Sequence, residues 1–344
     1  MTRTGPSYVL ATVGTVASDS PTTADGTGGP ARRDPARRIL AIDAGQTGIR
    51  TLVIDDAGDG TTSRGVEGEL PGILTHAPLI PQLAAVVASV SATVGQIDIV
   101  SVGSTGLTRE ETDPAALLDA TMRAGVSRVL MAHDSVTSYL GALGDERGVV
   151  VASGTGVVTL AVGKTAVARV DGWGNLIGDA GSGYWIGRAA LDAVMRAHDG
   201  RGPATALTEA VRAEFPDLEQ AYIILQSDPG RVRRIATYSR HVGELAATDE
   251  VAAGICDAAA RELVLSVATG LERVGEADGP SPVVVALGGV LRADAIASRF
   301  ADGLRERWKK VDIRKPAGSG MDGAALLPDV GATSALRELI ADSE

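Results

Sequence analysis

The chain is poor in the residues that staple, anchor or charge a protein in obvious ways. Its 344 residues include one cysteine, one asparagine, four lysines beside 28 arginines, and ten aromatic side chains. The lone Cys256 excludes an internal disulfide framework, a cysteine-based zinc finger and any iron–sulfur cluster that draws two or more cysteines from one chain. Positive charge is also short. Lys and Arg total 32 against 43 Asp and Glu, for a net charge of −11, which argues against nucleic acid as a partner. Long apolar runs are missing, because Gly, Thr, Asp or Arg cuts every stretch before the ~18 residues that a membrane helix needs. The expected setting is therefore cytoplasmic, with no membrane partner. The phosphate-loop pattern GxxxxGK[ST] occurs nowhere, and no dinucleotide fingerprint follows a strand and opens a helix.

What remains is an ordinary globular composition, 44% hydrophobic and 22% charged, at a length that suggests about two domains. Residues 1–37 are rich in Thr, Ser, Gly and Pro and read as a disordered extension, with order beginning at Arg38. From there, strand, Gly turn and strand (Arg38–Asp55) are followed by a helix over 78–95, a strand at Ile97–Val102, a helix at Pro114–Ala124 and a strand at Arg128–Ala132. A helix over Asp134–Leu143 leads to three strands, Gly148–Ser153, Thr159–Val162 and Ala166–Val170. After a Gly-rich segment the chain turns helical (Ala189–His198, Ala204–Glu214, Glu219–Gln226, Arg231–Ala246, Thr248–Arg273). It returns to one apolar strand, Pro282–Leu287, and Gly323–Leu327 and Thr333–Ile340 read as closing helices. Two halves that each open with antiparallel strands suggest a duplicated α/β unit with an interdomain cleft.

Three strand ends run into glycines. Asp43-Ala44-Gly45-Gln46-Thr47-Gly48-Ile49-Arg50 places a carboxylate at a strand end before a tight turn. Backbone N–H groups there could approach phosphate, and Asp43 could hold Mg2+ through water; a plain hairpin is the rival reading. Ser153-Gly154-Thr155-Gly156 follows a second buried strand, and Leu287-Gly288-Gly289-Val290 a third. Between them, Gly172–Gly187 packs six glycines and two tryptophans into sixteen residues. Such a stretch is entropically costly to order, so something specific must hold it.

These residues resemble the sugar-kinase branch of the actin/hexokinase-like ATPase superfamily, specifically the N-acetylglucosamine kinase and BadF/BadG-type family. The resemblance is carried by DAGQTGIR (Asp43–Arg50), HDSVTSYLGAL (His133–Leu143), SGTG (Ser153–Gly156), GWGNLIGDAGSGYWIGRAAL (Gly172–Leu191) and ALGGV (Ala286–Val290). It implies an α/β protein of two ribonuclease-H-like domains, 38–146 completed by a C-terminal helix at 330–344, and 147–329. ATP with Mg2+ would be the cofactor and a small amino sugar the partner, with a homodimer favoured over a monomer. It also implies an ATP/phosphate site of Asp43, Gly45, Gln46, Thr47, Arg50, Gly154, Thr155, Gly156, Gly288 and Gly289. The implied sugar contacts are Thr105, Asp134, Thr155, Trp173, Gly174 and Asp179. Asp134 sits where the family places its general base, although an Asp before Ser at a helix start also reads as an N-cap. His133 is assigned no role.

Two departures matter. Family members read GDEGS where this chain has Gly178-Asp179-Ala180-Gly181-Ser182, so one carboxylate is missing beside the implied sugar site. The stretch Gly65–Gly72 lacks the asparagine that holds an N-acetylated sugar and offers Glu67 and Glu69 instead. With Asp179 they suit an ammonium, which predicts phosphorylation of the 6-hydroxyl of glucosamine in preference to N-acetylglucosamine. The rival classes are a non-catalytic sugar sensor on a kinase scaffold and an ATPase activator of a CoA-ester reductase or dehydratase. The activator reading is disfavoured by the single cysteine.

Overall fold

The computed structural model of the chain describes residues 36–45, 47–59, 61–74, 76–107 and 111–344. The expected extension, up to residue 35, lies outside the described residues. Its end at 37 is corrected: Arg37 is the first residue of strand β1 (Arg37–Ala44) and pairs with Asp56 at 2.8 Å and Asp329 at 2.9 Å. The chain divides into two compact units, one running to Asp145 and resuming over Ala317–Glu344, the other spanning Glu146–Pro316. The return to the first unit thus comes well before the expected residue 330.

In the first unit β1 lies beside β2 (Ile49–Asp56), antiparallel, and β4 (Ile99–Ser104), parallel. β3 (Thr62–Leu70) extends the β2 edge, while β5 (Arg128–His133) and the short β11 (Ile340–Asp342) extend the other, giving the order β11-β5-β4-β1-β2-β3. Side-chain alternation explains the layering. Leu40, Ile42, Val100 and Val102 face one way and pack on α1 (Leu79–Val94), whose Leu79, Leu83, Val86, Val87 and Val90 recur at helical spacing. Leu117 of α2 (Pro114–Thr121) joins the same core. The opposite face carries the small Ala41 with Leu52, packed against Met321 and Ala324 of α11 (Gly320–Leu326). Ser101 donates from this face to the carbonyl of Ala324. α11 crosses α3 (Asp134–Leu143) so closely that a Cβ on Gly141 or Gly323 would land on the other helix's backbone.

In the second unit β6 (Gly148–Ser153), β7 (Val157–Val162) and β8 (Val167–Val170) form an antiparallel run. β9 (Val283–Leu287) and β10 (Asp312–Arg314) add in parallel, for the order β10-β9-β6-β7-β8. That matches β5-β4-β1-β2-β3, so the duplication expected from pattern alone is present in topology. The helices are α4 (Gly183–His198), α5 (Leu207–Glu214), α6 (Leu218–Ser227), α7 (Arg231–Ala236), α8 (Tyr238–Leu245), α9 (Glu250–Val274) and α10 (Asp294–Arg307). The 25-residue α9 is the spine of this core, burying Cys256, Ala259, Leu263, Val267 and Leu271. Cys256 is wholly buried and free, a small hydrophobe in a helix face.

Three local expectations are corrected. Gly65–Gly72, read as loop, is largely strand: Val66, Gly68 and Leu70 alternate inward on β3, a pattern that two glycines and two glutamates hide. α4 begins at Gly183, earlier than Ala189, because Ser182 caps it by accepting from the Trp185 N–H at 3.2 Å. Gly187 is required there, since a Cβ would meet the Ile235 carbonyl. Thr333–Ile340 is no closing helix. A 3-10 turn over Ala335–Leu339 leads into β11, which pairs antiparallel with β5.

Candidate active site

The parallel register of β1, β4 and β5 aligns their C-terminal ends. Asp43 lies opposite Gly103, and Ser104 opposite His133, so the first residues beyond each strand meet on one edge. Thr105 reaches back across that edge, its N–H donating to the Ala44 carbonyl at 3.1 Å. Asp43 is largely shielded and paired with the Arg50 guanidinium from the neighbouring strand, which also faces Glu69 of β3 in register. A cavity of about 380 Å³ opens here, lined by Asp43, Gly45, Thr47, Gly48, Arg50 and Glu69. The turn is closed by Gly45 N–H to the Gly48 carbonyl at 3.0 Å, and Gly45 and Gly48 are absent from the glycines with positive φ. A left-handed hairpin conformation is therefore not the reason for these two glycines; at Gly45 a Cβ would crowd the Gly48 carbonyl at 3.3 Å. Gln46 falls outside the described residues. Glu67 is not part of this cavity, because Arg64 holds its carboxylate at 3.1 Å while also pairing with Asp322.

Asp134 opens α3 directly after β5. The N-cap position belongs to His133, with extended backbone, and Asp134 is the first helical residue. The capping reading of Asp134 is thereby corrected. His133 Nδ1 lies 2.8 Å from Asp134 Oδ1. Burial is the strongest influence on this carboxyl and pushes its pKa up. Bonds from His133, Thr105 and the Ser135 N–H more than reverse it, leaving the group below its usual range and ionised at neutral pH.

The second unit presents a matching edge. Gly154–Thr155–Gly156 turns between β6 and β7, with Gly154 N–H donating to the Gly156 carbonyl at 2.9 Å. The start of α4 backs onto it: Gly183 N–H reaches the Gly154 carbonyl at 2.7 Å and Tyr184 N–H that of Thr155 at 3.0 Å. Gly288 adopts φ +96°, and a Cβ there would strike the Ser153 backbone, so glycine is obligatory where β9 ends beside β6. Gly289 lines a larger cavity of about 850 Å³ with Thr237, Ser239, Arg240 and His241 of the α8 region and Arg292 of the turn before α10.

The Gly-rich segment is held by two aspartates in left-handed conformation, Asp171 at φ 57° and Asp179 at φ 62°. Asp171 accepts from the N–H groups of Asp179 (2.8 Å) and Ala180 (2.9 Å); Asp179 accepts from Gly174 N–H at 3.1 Å. Asp179 is only 7% exposed, and burial, joined by the charge of Asp171, raises its pKa. Trp173 stands 60% exposed with the Arg169 guanidinium 4.8 Å from its ring centre. Sequence reasoning missed His133, Asp171, Arg292 and the α8 residues. The Asp171-Gly172 pair carried a turn signal, whereas Thr237–Glu244 lie in ordinary helix and carried none.

Among the described residues no group of three or more His, Cys, Asp or Glu could hold a metal ion, and no helix is long and apolar enough to cross a membrane. Comparison with known proteins gives a consistent result. The family model described as the BadF/BadG/BcrA/BcrD ATPase family matches residues 40–328. An N-acetylmuramic acid/N-acetylglucosamine kinase of Clostridium acetobutylicum is 29% identical over 235 residues, 66% of this chain and 76% of that protein. An N-acetyl-D-glucosamine kinase of Dictyostelium discoideum is 29% identical over 243 residues, 68% of this chain and 75% of its own. Among solved structures, a protein of Chromobacterium violaceum proposed to be an N-acetylglucosamine kinase superposes with a TM-score of 0.63 at 24% identity, covering 84% of this chain and 98% of its own. A ROK hexokinase of Thermus thermophilus gives 0.52 at 16%, covering 84% and 97%. These likenesses show the actin-like ATPase/hexokinase fold.

Proposed function

Because the chain belongs to the BadF/BadG/BcrA/BcrD ATPase family, we propose that it is an amino-sugar kinase that moves the γ-phosphoryl group of ATP to the 6-hydroxyl of a hexosamine. The observation that carries this reading is Asp134, a half-buried carboxylate kept ionised at the end of a parallel strand by donors from three sides. In the reaction its oxygen takes the proton of the sugar 6-hydroxyl as that oxygen bonds to the γ-phosphorus and the bond to the β–γ bridging oxygen breaks, releasing ADP. Thr105 steadies the same carboxylate and stands beside the acceptor.

Asp43, Gly45, Thr47 and Arg50 are the phosphate-side residues of the first unit, and the N–H groups of Gly154–Gly156 with Gly288 and Gly289 those of the second. Among the described residues Asp43 is a single strand-end carboxylate with no cage of further ligands, which fits Mg2+, an ion that keeps most of its ligands as water and phosphate oxygen. When bound, Mg2+ neutralises charge on the phosphates; Asp43 would hold it through water. Thr155 of the turn after β6, with Trp173, Gly174 and Asp179 of the Gly-rich segment, are the sugar-side residues.

Glucosamine is proposed over N-acetylglucosamine on the strength of Asp179, a buried carboxylate of the Gly-rich segment, since Arg64 claims Glu67 and Glu69 lines the phosphate-side cavity opposite Arg50. The relatives named for N-acetylated sugars pull the other way. The test is kcat/KM for the two sugars at fixed Mg·ATP, read by ADP release. A ratio above one for glucosamine supports the preference, a ratio below one transfers it to the acetylated sugar, and no sugar-dependent release with any hexosamine overturns the kinase reading.

A further inference from the structure

A carboxylate oxygen can only accept a hydrogen bond, so the 2.8 Å approach of His133 Nδ1 to Asp134 Oδ1 requires the imidazole to carry its hydrogen on Nδ1. The same nitrogen lies 2.9 Å from Ser135 Oγ and 3.2 Å from the Ser135 N–H. A protonated Nδ1 cannot also accept from that N–H, and the Ser135 N–H has a second acceptor in the Asp134 carboxylate. Proton counting therefore selects one tautomer and one arrangement. Nδ1–H points at Asp134, with Ser135 Oγ as its second acceptor, and the Ser135 N–H serves the carboxylate from the helix side. The backbone supports this placement, because His133 is the last residue of β5 and occupies the N-cap position of α3, so its side chain and that of Asp134 leave the strand end together.

We propose that His133 is a positioning residue for the phosphoryl-transfer base: its Nδ1–H fixes the Asp134 carboxylate and keeps it ready to take a proton. The proposal rests on the reading of Asp134 given above. The groups that face Asp134 are few. They are His133 from β5, the Thr105 hydroxyl from the residue after β4, and the Ser135 N–H from α3. Asp43 is the next charged group along the edge, and Arg50 neutralises it. Among the described residues His133 is thus the one titratable side chain that bonds the base. Burial pushes the Asp134 carboxyl up and His133 is first among the influences that pull it down. Taking the imidazole away removes the largest of the influences that oppose burial, so the base should stay protonated to a higher pH than in wild type.

The experiment is the pH dependence of kcat/KM at saturating Mg·ATP for the wild type, His133→Ala and His133→Asn, with Asp134→Asn as the control and one sugar throughout, so that substrate ionisation cancels. The acid limb should move up by about one unit or more in His133→Ala, a tenfold or greater loss on the acid side. At the alkaline plateau kcat should fall by less than about tenfold, since the base is then ionised in both proteins. His133→Asn, whose Nδ2 takes the place of Nδ1 and can donate, should return the limb to within about half a unit of wild type. A limb unmoved in His133→Ala overturns the role of His133, as does an Asn variant shifted as far as Ala. If Asp134→Asn itself keeps near-normal turnover, the base assignment fails; if it is inactive while the limb of His133→Ala stays put, only the proposal for His133 fails.

Discussion

Asp134 and Asp179 are both shielded carboxyls, yet their surroundings push them in opposite directions. Donors around Asp134 outweigh its burial, and burial of Asp179 outweighs the N–H groups that it receives. The first is equipped to accept a proton; the second closes its own loop. A third case, Asp342 on β11, allows a direct stability test. Burial pushes it up, but two bonds from Arg128, at 3.1 and 2.7 Å, and one from Arg337 bring it down to about 2. A carboxyl whose pKa is lower in the folded than in the unfolded chain stabilises fully above its unfolded value of about 4 and loses that contribution as pH falls toward its folded value. Asp342→Asn should therefore lower the unfolding free energy at pH 7 by an amount on the order of 1–3 kcal/mol, seen as a lower Tm, and the difference from wild type should nearly vanish close to pH 2. Thermal melts of both proteins across this range check it; an equal deficit at every pH would mean that packing, and not charge, is what Asp342 contributes.

The elements show why some of the architecture was legible in sequence and some was not. α3 was readable to the residue because a charged start and Gly144 bound it, with Val136, Tyr139, Leu140 and Leu143 at helical spacing between them. β3 was not, because Gly65, Glu67, Gly68 and Glu69 carry little β preference and the strand forms by pairing with β2. β11 was hidden for the same reason: three residues become a strand only because β5 offers a free edge. The site divides along the same line. Glycines that the backbone requires, such as Gly288, stood out as motifs, whereas the α8 side of the large cavity is assembled by tertiary packing. The α3–α11 crossing gives an element-scale prediction. Gly141→Ala places a methyl group against the backbone at the start of α11, where neither helix can retreat without disturbing the sheet beneath. The expected cost is about 1–3 kcal/mol or more. Chemical denaturation should show it as a lower midpoint with an unchanged m-value, while Gly254→Ala on α9, with open space around the added Cβ, should be neutral or stabilising.

At the scale of the whole molecule, the two units repeat one strand order, and each brings glycine turns to the C-terminal ends of its parallel strands. The first adds Asp43, Thr105 and Asp134; the second adds the Gly-rich segment and the cavity beside Gly289. Duplication thus supplies two similar glycine-rich strand edges, and the first carries the carboxylates that the proposed reaction uses. The central claim is that Asp134 accepts the proton in sugar phosphorylation. It is tested most directly by hexosamine-dependent ADP release from Asp134→Asn, measured beside the binding of Mg·ADP to the same variant. Wild-type nucleotide affinity is expected with turnover down by roughly two orders of magnitude or more; near-normal turnover would exclude Asp134 as the base.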